Sequence, residues 1–130
     1  MPMSISKMIA AHPDVTEVNE PLAVAVRHAM FCAVICTSCA DACTAEAMDM
    51  RQCIRTCLDC ADICETTAKV AVRQTGRSIL IVQAMLESCI AACDVCAAEC
   101  ERHDHPHCWR CAEMCRECAD DCRRALPTVH

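Results

Sequence analysis

The spacing C-x-x-x-C-x-x-C-x-x-x-C occurs four times in this chain. The repeats are Cys32, Cys36, Cys39 and Cys43; Cys53, Cys57, Cys60 and Cys64; Cys89, Cys93, Cys96 and Cys100; and Cys111, Cys115, Cys118 and Cys122. Of the 17 cysteines only Cys108 falls outside them. Alternating steps of four and three residues stay on one stripe of an α-helix, the seam that apolar side chains occupy in a helical bundle. Here that seam is thiol. Four such stripes predict four helices turned towards one shared interior.

The rest of the composition agrees. Leu, Ile, Val and Phe together supply only 24 of the 130 residues, fewer than an ordinary hydrocarbon core uses. The 21 alanines favour helix and let helices approach closely. A chain of this length makes one domain. The net charge of -6 excludes a phosphate-binding face, and one Phe, one Trp and no Tyr provide no base-stacking platform, so nucleic acid is not expected. No unbroken run of 18 apolar residues is present, so no membrane partner is expected. The first residues lack the apolar core and cleavage site of a secretion signal, which points to a reducing cytoplasm.

Helix signals divide the chain. Residues 1–20 read as a lead-in with room for one short helix, closed by Pro13. Pro21 opens the first bundle helix, expected over 21–49, and the second follows over 51–74. Gly76 suits a helix C-terminus and Ser78 an N-cap, placing the third helix at 79–102. Pro106 opens the fourth, over 106–125, and 127–130 form a tail. Short connections predict an all-α, antiparallel up-down four-helix bundle with a cysteine-lined core. Registering the helices from their short loops gives four layers: Cys43, Cys53, Cys100 and Cys111; Cys39, Cys57, Cys96 and Cys115; Cys36, Cys60, Cys93 and Cys118; Cys32, Cys64, Cys89 and Cys122. The thiol column is then roughly 16 Å long. Beyond its deep end lie Leu22, Ala25, Ala29, Ala68, Ala71, Ile79, Val82, Leu86 and Leu126, a hydrocarbon plug. Beyond the other lie Met48, Met50, His103, His105, His107 and Cys108, all able to bind a metal, and the entrance is expected there. His28 reads as a satisfied or surface histidine, and Asp120 and Asp121 as a solvated face beside Arg123 and Arg124.

Disulfides fit this pattern poorly. The cysteine count is odd, and Cβ atoms at i and i+4 stand roughly 5–6 Å apart, beyond the ~3.5–4.5 Å that a bridge needs. Soft thiolates select Cu(I), Zn(II) or iron–sulfur clusters. A Cu(I) ion that replaces one thiol proton leaves the buried charge unchanged. Zn(II) held by four thiolates adds two negative charges per layer, which a seam without Lys or Arg cannot offset. The bacterial ferredoxin run C-x2-C-x2-C-x3-C-P is absent. The residues therefore favour many Cu(I) ions, with an iron–sulfur electron-transfer protein and a zinc or cadmium detoxification protein as the alternatives.

With its four repeats on four helices, the chain resembles the cytosolic branch of the bacterial four-helix-bundle copper storage proteins over about residues 21–126. The resemblance implies multiple Cu(I) ions held by the sixteen seam cysteines inside a preformed bundle, commonly a tetramer. It implies one end for copper entry, where His103, His105, His107 and Cys108 would serve. No enzyme is expected from the residues, because every candidate nucleophile is repeated sixteen times on one axis with no carboxylate–histidine partner specified. Copper donor or acceptor proteins would be the partners.

Overall fold

The computed structural model describes residues 3–130; the first two residues of the lead-in lie outside it. Five α-helices follow one another: α1 (Ile5–Ala10), α2 (Glu20–Thr44), α3 (Arg51–Val72), α4 (Ile79–Cys100) and α5 (Pro106–Ala125), closed by a 3-10 turn at Leu126–Thr128. Among the described residues there is no strand. Helices α2 to α5 form the antiparallel bundle. Each of α2 and α4 packs against both α3 and α5, so α2 and α4 face each other across the diagonal. Helix α1 lies on α2, where Ile9 is buried.

Local chemistry explains where the helices start. Ser4 accepts the Lys7 N–H at 3.1 Å and caps α1. Asn19 accepts the Leu22 N–H at 3.1 Å, and Pro21 occupies the first turn of α2, where its missing donor costs nothing. Asp49 accepts the Arg51 N–H at 3.0 Å and pairs with its guanidinium, setting the start of α3. Ser78 stands at the N-cap of α4, but its side chain makes no capping bond there.

Helix ends differ from expectation. Helix α2 stops at Thr44, not at 49, and residues 45–50 form a loop. Ala, Glu and Met in that stretch carry no breaker, but an antiparallel partner needs several residues to reverse the chain. Helix α3 stops at Val72, two residues before the expected end, and α4 at Cys100. Gly76 sits within the loop between α3 and α4 at φ 72°, a conformation that side chains with a Cβ rarely adopt.

The interior is small side chains throughout. Ala25, Ala29, Ala68, Ala71, Val82 and Leu86 fill the deep end, with Leu22 and Leu126 packed against them. Above this plug the centre is cysteine. Helices α3 and α5 turn charged faces outwards; Arg116 pairs with Glu101 at 2.7 Å, and Arg123 pairs with Asp94. The outer faces of α2 and α4 are more apolar. Met30 and Val34 on α2, and Ile81 and Val95 on α4, are exposed. By length and composition both helices are apolar enough to cross a bilayer, although neither is an unbroken apolar run. Alanine and cysteine account for much of that apolar character.

Candidate metal centre

All seventeen cysteines are free and buried. Their sulfurs form a continuous column. Between α2 and α5, Cys36 lies 3.6 Å from both Cys111 and Cys115, and Cys32 lies 3.8 Å from Cys115. Between α3 and α4, Cys64 lies 3.6 Å from Cys93 and 3.7 Å from Cys89, and Cys57 lies 3.7 Å from Cys100 and 3.8 Å from Cys96. Contacts cross both diagonals at 4.0 Å, Cys32 to Cys93 and Cys57 to Cys111. Such approach is open only to a core of side chains this short. It also suits metal: two sulfurs each roughly 2.3 Å from one ion subtend about 3.8–4.0 Å at tetrahedral or trigonal angles. Four-thiol groups recur along the axis, among them Cys32, Cys64, Cys93 and Cys118, and Cys39, Cys53, Cys57 and Cys100.

Helices α3 and α4 keep the expected register, with Cys53–Cys100 at 3.9 Å, Cys57–Cys96 and Cys60–Cys93 at 3.8 Å and Cys64–Cys89 at 3.7 Å, whereas α5 departs from it. Helix α5 is slid towards the plug by one cysteine step relative to α2, so Cys36 meets Cys111 and Cys115 instead of Cys118. Cys89 on α4 meets Cys118 at 3.9 Å as well as Cys122. Cys108 goes with the slide. It lies three residues before Cys111 and extends the seam of α5 to five thiols, and it joins Cys39, Cys43 and His107 at the mouth. The continuing three-four rhythm was the sequence signal, and the four-fold repeat masked it.

His107 is the hinge of that mouth. Its Nδ1 lies 3.3 Å from Cys39 Sγ and 3.6 Å from Cys108 Sγ, and its Nε2 lies 2.7 Å from Glu46 Oε2. The other loop groups are placed differently. His105 stacks on His107 and points Nδ1 at Glu46, 3.3 Å away. His103 is held by Glu99 at 2.7 Å. Met50 is buried in the core cluster where α3 begins, whereas Met48 is exposed.

Two further residues escaped the sequence reading. Glu46 follows the last seam cysteine of α2 by three residues, which puts it on the same side. Asp121 is 6% exposed, not part of a solvated face. It holds His28 across the α2–α5 interface and accepts from Arg124 at 3.0 Å.

Thiol acidity follows position. At the mouth, burial pushes the Cys43 thiol up to about 12 and the Cys108 thiol up to about 11, and the negative charge of Cys53 adds to both. Deeper in, the directions alternate. Cys57 and Cys115 are raised, chiefly through hydrogen bonds to Cys100 and Cys111. Cys60 and Cys111 are lowered, chiefly through Cys115 and Cys100.

A sequence profile of the copper storage proteins matches residues 18–127, the whole bundle. The chain belongs to the copper storage protein family. Within its range of similarity stands Ccsp of Streptomyces lividans, solved loaded with 10 copper equivalents; it superposes with a TM-score of 0.91 at 39% identity, covering 95% of this chain and 98% of that one. A structure of the cytosolic copper storage protein of the same organism with five coppers matches with a TM-score of 0.81 at 43% identity, over 83% of this chain and 93% of that one. The cysteine-rich protein YhjQ of Bacillus subtilis is 34% identical over 92 residues, 71% of this chain and 83% of its own length. Family membership supports a copper-binding column over the iron–sulfur and zinc alternatives.

Proposed function

We propose that this protein is a cytoplasmic store that sequesters many Cu(I) ions as cargo in the thiolate column of a preformed bundle. The observation that carries the reading is the continuity of the column, with sulfurs 3.6–4.0 Å apart from Cys32 to Cys111. Thiols that bridge let metal number approach thiol number, whereas isolated four-thiol sites would cap it at one ion in four. The sixteen repeat cysteines and Cys108 are the ligands. His107 completes the first site at the mouth, and His103, His105, Met48 and Met50 surround it as weaker copper contacts. Copper donor and acceptor proteins would exchange metal there. The role is storage without catalysis: apart from the mouth thiols Cys39, Cys43 and Cys108, which gather round His107, the thiols of the column have other thiols as their neighbours.

A homo-oligomer accords with the outer faces. Val34 on α2 and Ile81 and Val95 on α4 are each more than half exposed, on opposite sides of the bundle. Two apolar faces pointing apart provide the two self-complementary contacts that a dihedral tetramer requires.

Loading reduced protein anaerobically with Cu(I), with Zn(II), or with ferrous iron and sulfide, then counting retained metal after desalting, tests the assignment. Cu(I) retained in excess of one ion per two thiols, and displacing Zn(II), is the expected result. A brown product with acid-labile sulfide that resists Cu(I) would overturn it.

A further inference from the structure

Glu46 stands at the mouth without being a sulfur or nitrogen ligand. It lies in the loop 45–50 between α2 and α3, opposite the loop that carries the histidines. One carboxylate oxygen meets both histidines: Oε2 is 2.7 Å from His107 Nε2 and 3.3 Å from His105 Nδ1. The two imidazole rings are stacked, 5.5 Å between centroids with planes 7° apart, so His107 is held from its face as well as its edge. Glu46 and His107 side chains are 26% and 25% exposed, shielded enough for the bond to compete with water.

A carboxylate can only accept, so at the 2.7 Å contact His107 donates from Nε2. A neutral imidazole has one N–H. With the proton on Nε2, the lone pair is on Nδ1, which faces Cys39 and Cys108 at 3.3 and 3.6 Å. The opposite tautomer would set an N–H against the thiol site and leave two acceptors facing each other at Glu46. We infer that Glu46 is a positioning residue for copper entry, fixing the tautomer and ring orientation of His107 so that Nδ1 presents its lone pair to the first Cu(I) ion. This is the carboxylate–histidine–metal arrangement that tunes many metal centres. The inference rests on the mouth assigned to His107 in the proposed function.

The test compares Glu46→Ala, Glu46→Gln and His107→Ala with the wild type in stopped-flow transfer of Cu(I) from a coloured Cu(I) chelator complex. Long-range 15N–1H NMR of the reduced apoprotein reads the tautomer of His107. Thermal unfolding of each variant checks that the bundle persists. Glu46→Ala should slow transfer by roughly tenfold or more with unchanged final capacity, and should lose the uniform Nε2–H signature. Glu46→Gln, whose carbonyl oxygen still accepts from Nε2, should restore both. Wild-type rates in Glu46→Ala alongside slow transfer in His107→Ala would overturn the role of Glu46 and leave the mouth in place. Wild-type rates in His107→Ala would overturn the mouth itself. Slow transfer in Glu46→Ala with the Nε2–H tautomer retained, or equal slowing in Glu46→Gln, would contradict positioning and point to carboxylate charge.

Discussion

Single residues decide how protons and metal compete in this protein. Cys43 and Cys108 are pushed above the ordinary thiol value of 9.0 to about 12 and about 11. The folded state therefore holds their protons more tightly than the unfolded chain does. Their contribution to apoprotein stability is complete below pH 9 and is lost as pH rises through about 11 to 12, so urea midpoints of the reduced apoprotein should fall across that window. A midpoint that rises there would mean the mouth thiols are ionised in the fold. Asp121 makes a second case. Its carboxylate joins α2 to α5 through His28 and holds Arg124, and Asp121→Ala should cost about 1–3 kcal/mol in denaturant unfolding, with Asp121→Asn recovering part. No local pattern discloses this. The pair is 93 residues apart, and a carboxylate beside two arginines reads as solvent-facing until the rotation of α2 is known.

Elements follow the same division between local and tertiary information. Cysteine spacing and the prolines at 21 and 106 mark helix starts in the sequence, since each acts within its own turn. Helix ends and the slide of α5 were not legible; residues 45–50 favour helix by propensity and are turned only by the need to bring α3 back along α2. The slide of α5 likewise belongs to packing between helices, and it brings a fifth thiol of α5 to the mouth. It assigns Cys108 to the column. Cys108→Ala should therefore remove the mixed sulfur–nitrogen site at the mouth and slow loading, while lowering total Cu(I) capacity by no more than about one or two ions, the number its bridging thiolate touches. Quantifying metal per chain together with transfer rate separates this from a surface thiol, whose removal would leave both unchanged.

At the scale of the molecule, the bundle is expected to stand before the metal arrives. Alanine-rich helices, an apolar plug at one end and capped helix starts should keep the apoprotein strongly helical by circular dichroism, and Cu(I) that binds only the assembled column should raise the melting temperature stepwise. A coil-like apo spectrum would contradict a preformed store. Native mass spectrometry should find a tetramer that Val34→Glu dissociates through the α2 face, with Cu(I) capacity per chain retained because the column lies within one bundle; an unchanged tetramer would assign assembly to other surfaces. The most direct test of the central claim is an anaerobic Cu(I) titration of the reduced protein against a coloured Cu(I) chelator, with thiols counted in the same sample. A continuous thiolate column predicts that more than about ten Cu(I) ions per chain are taken up before the chelator colours. Saturation at one or two ions would contradict it and reduce the seventeen buried thiols to a single exchangeable site.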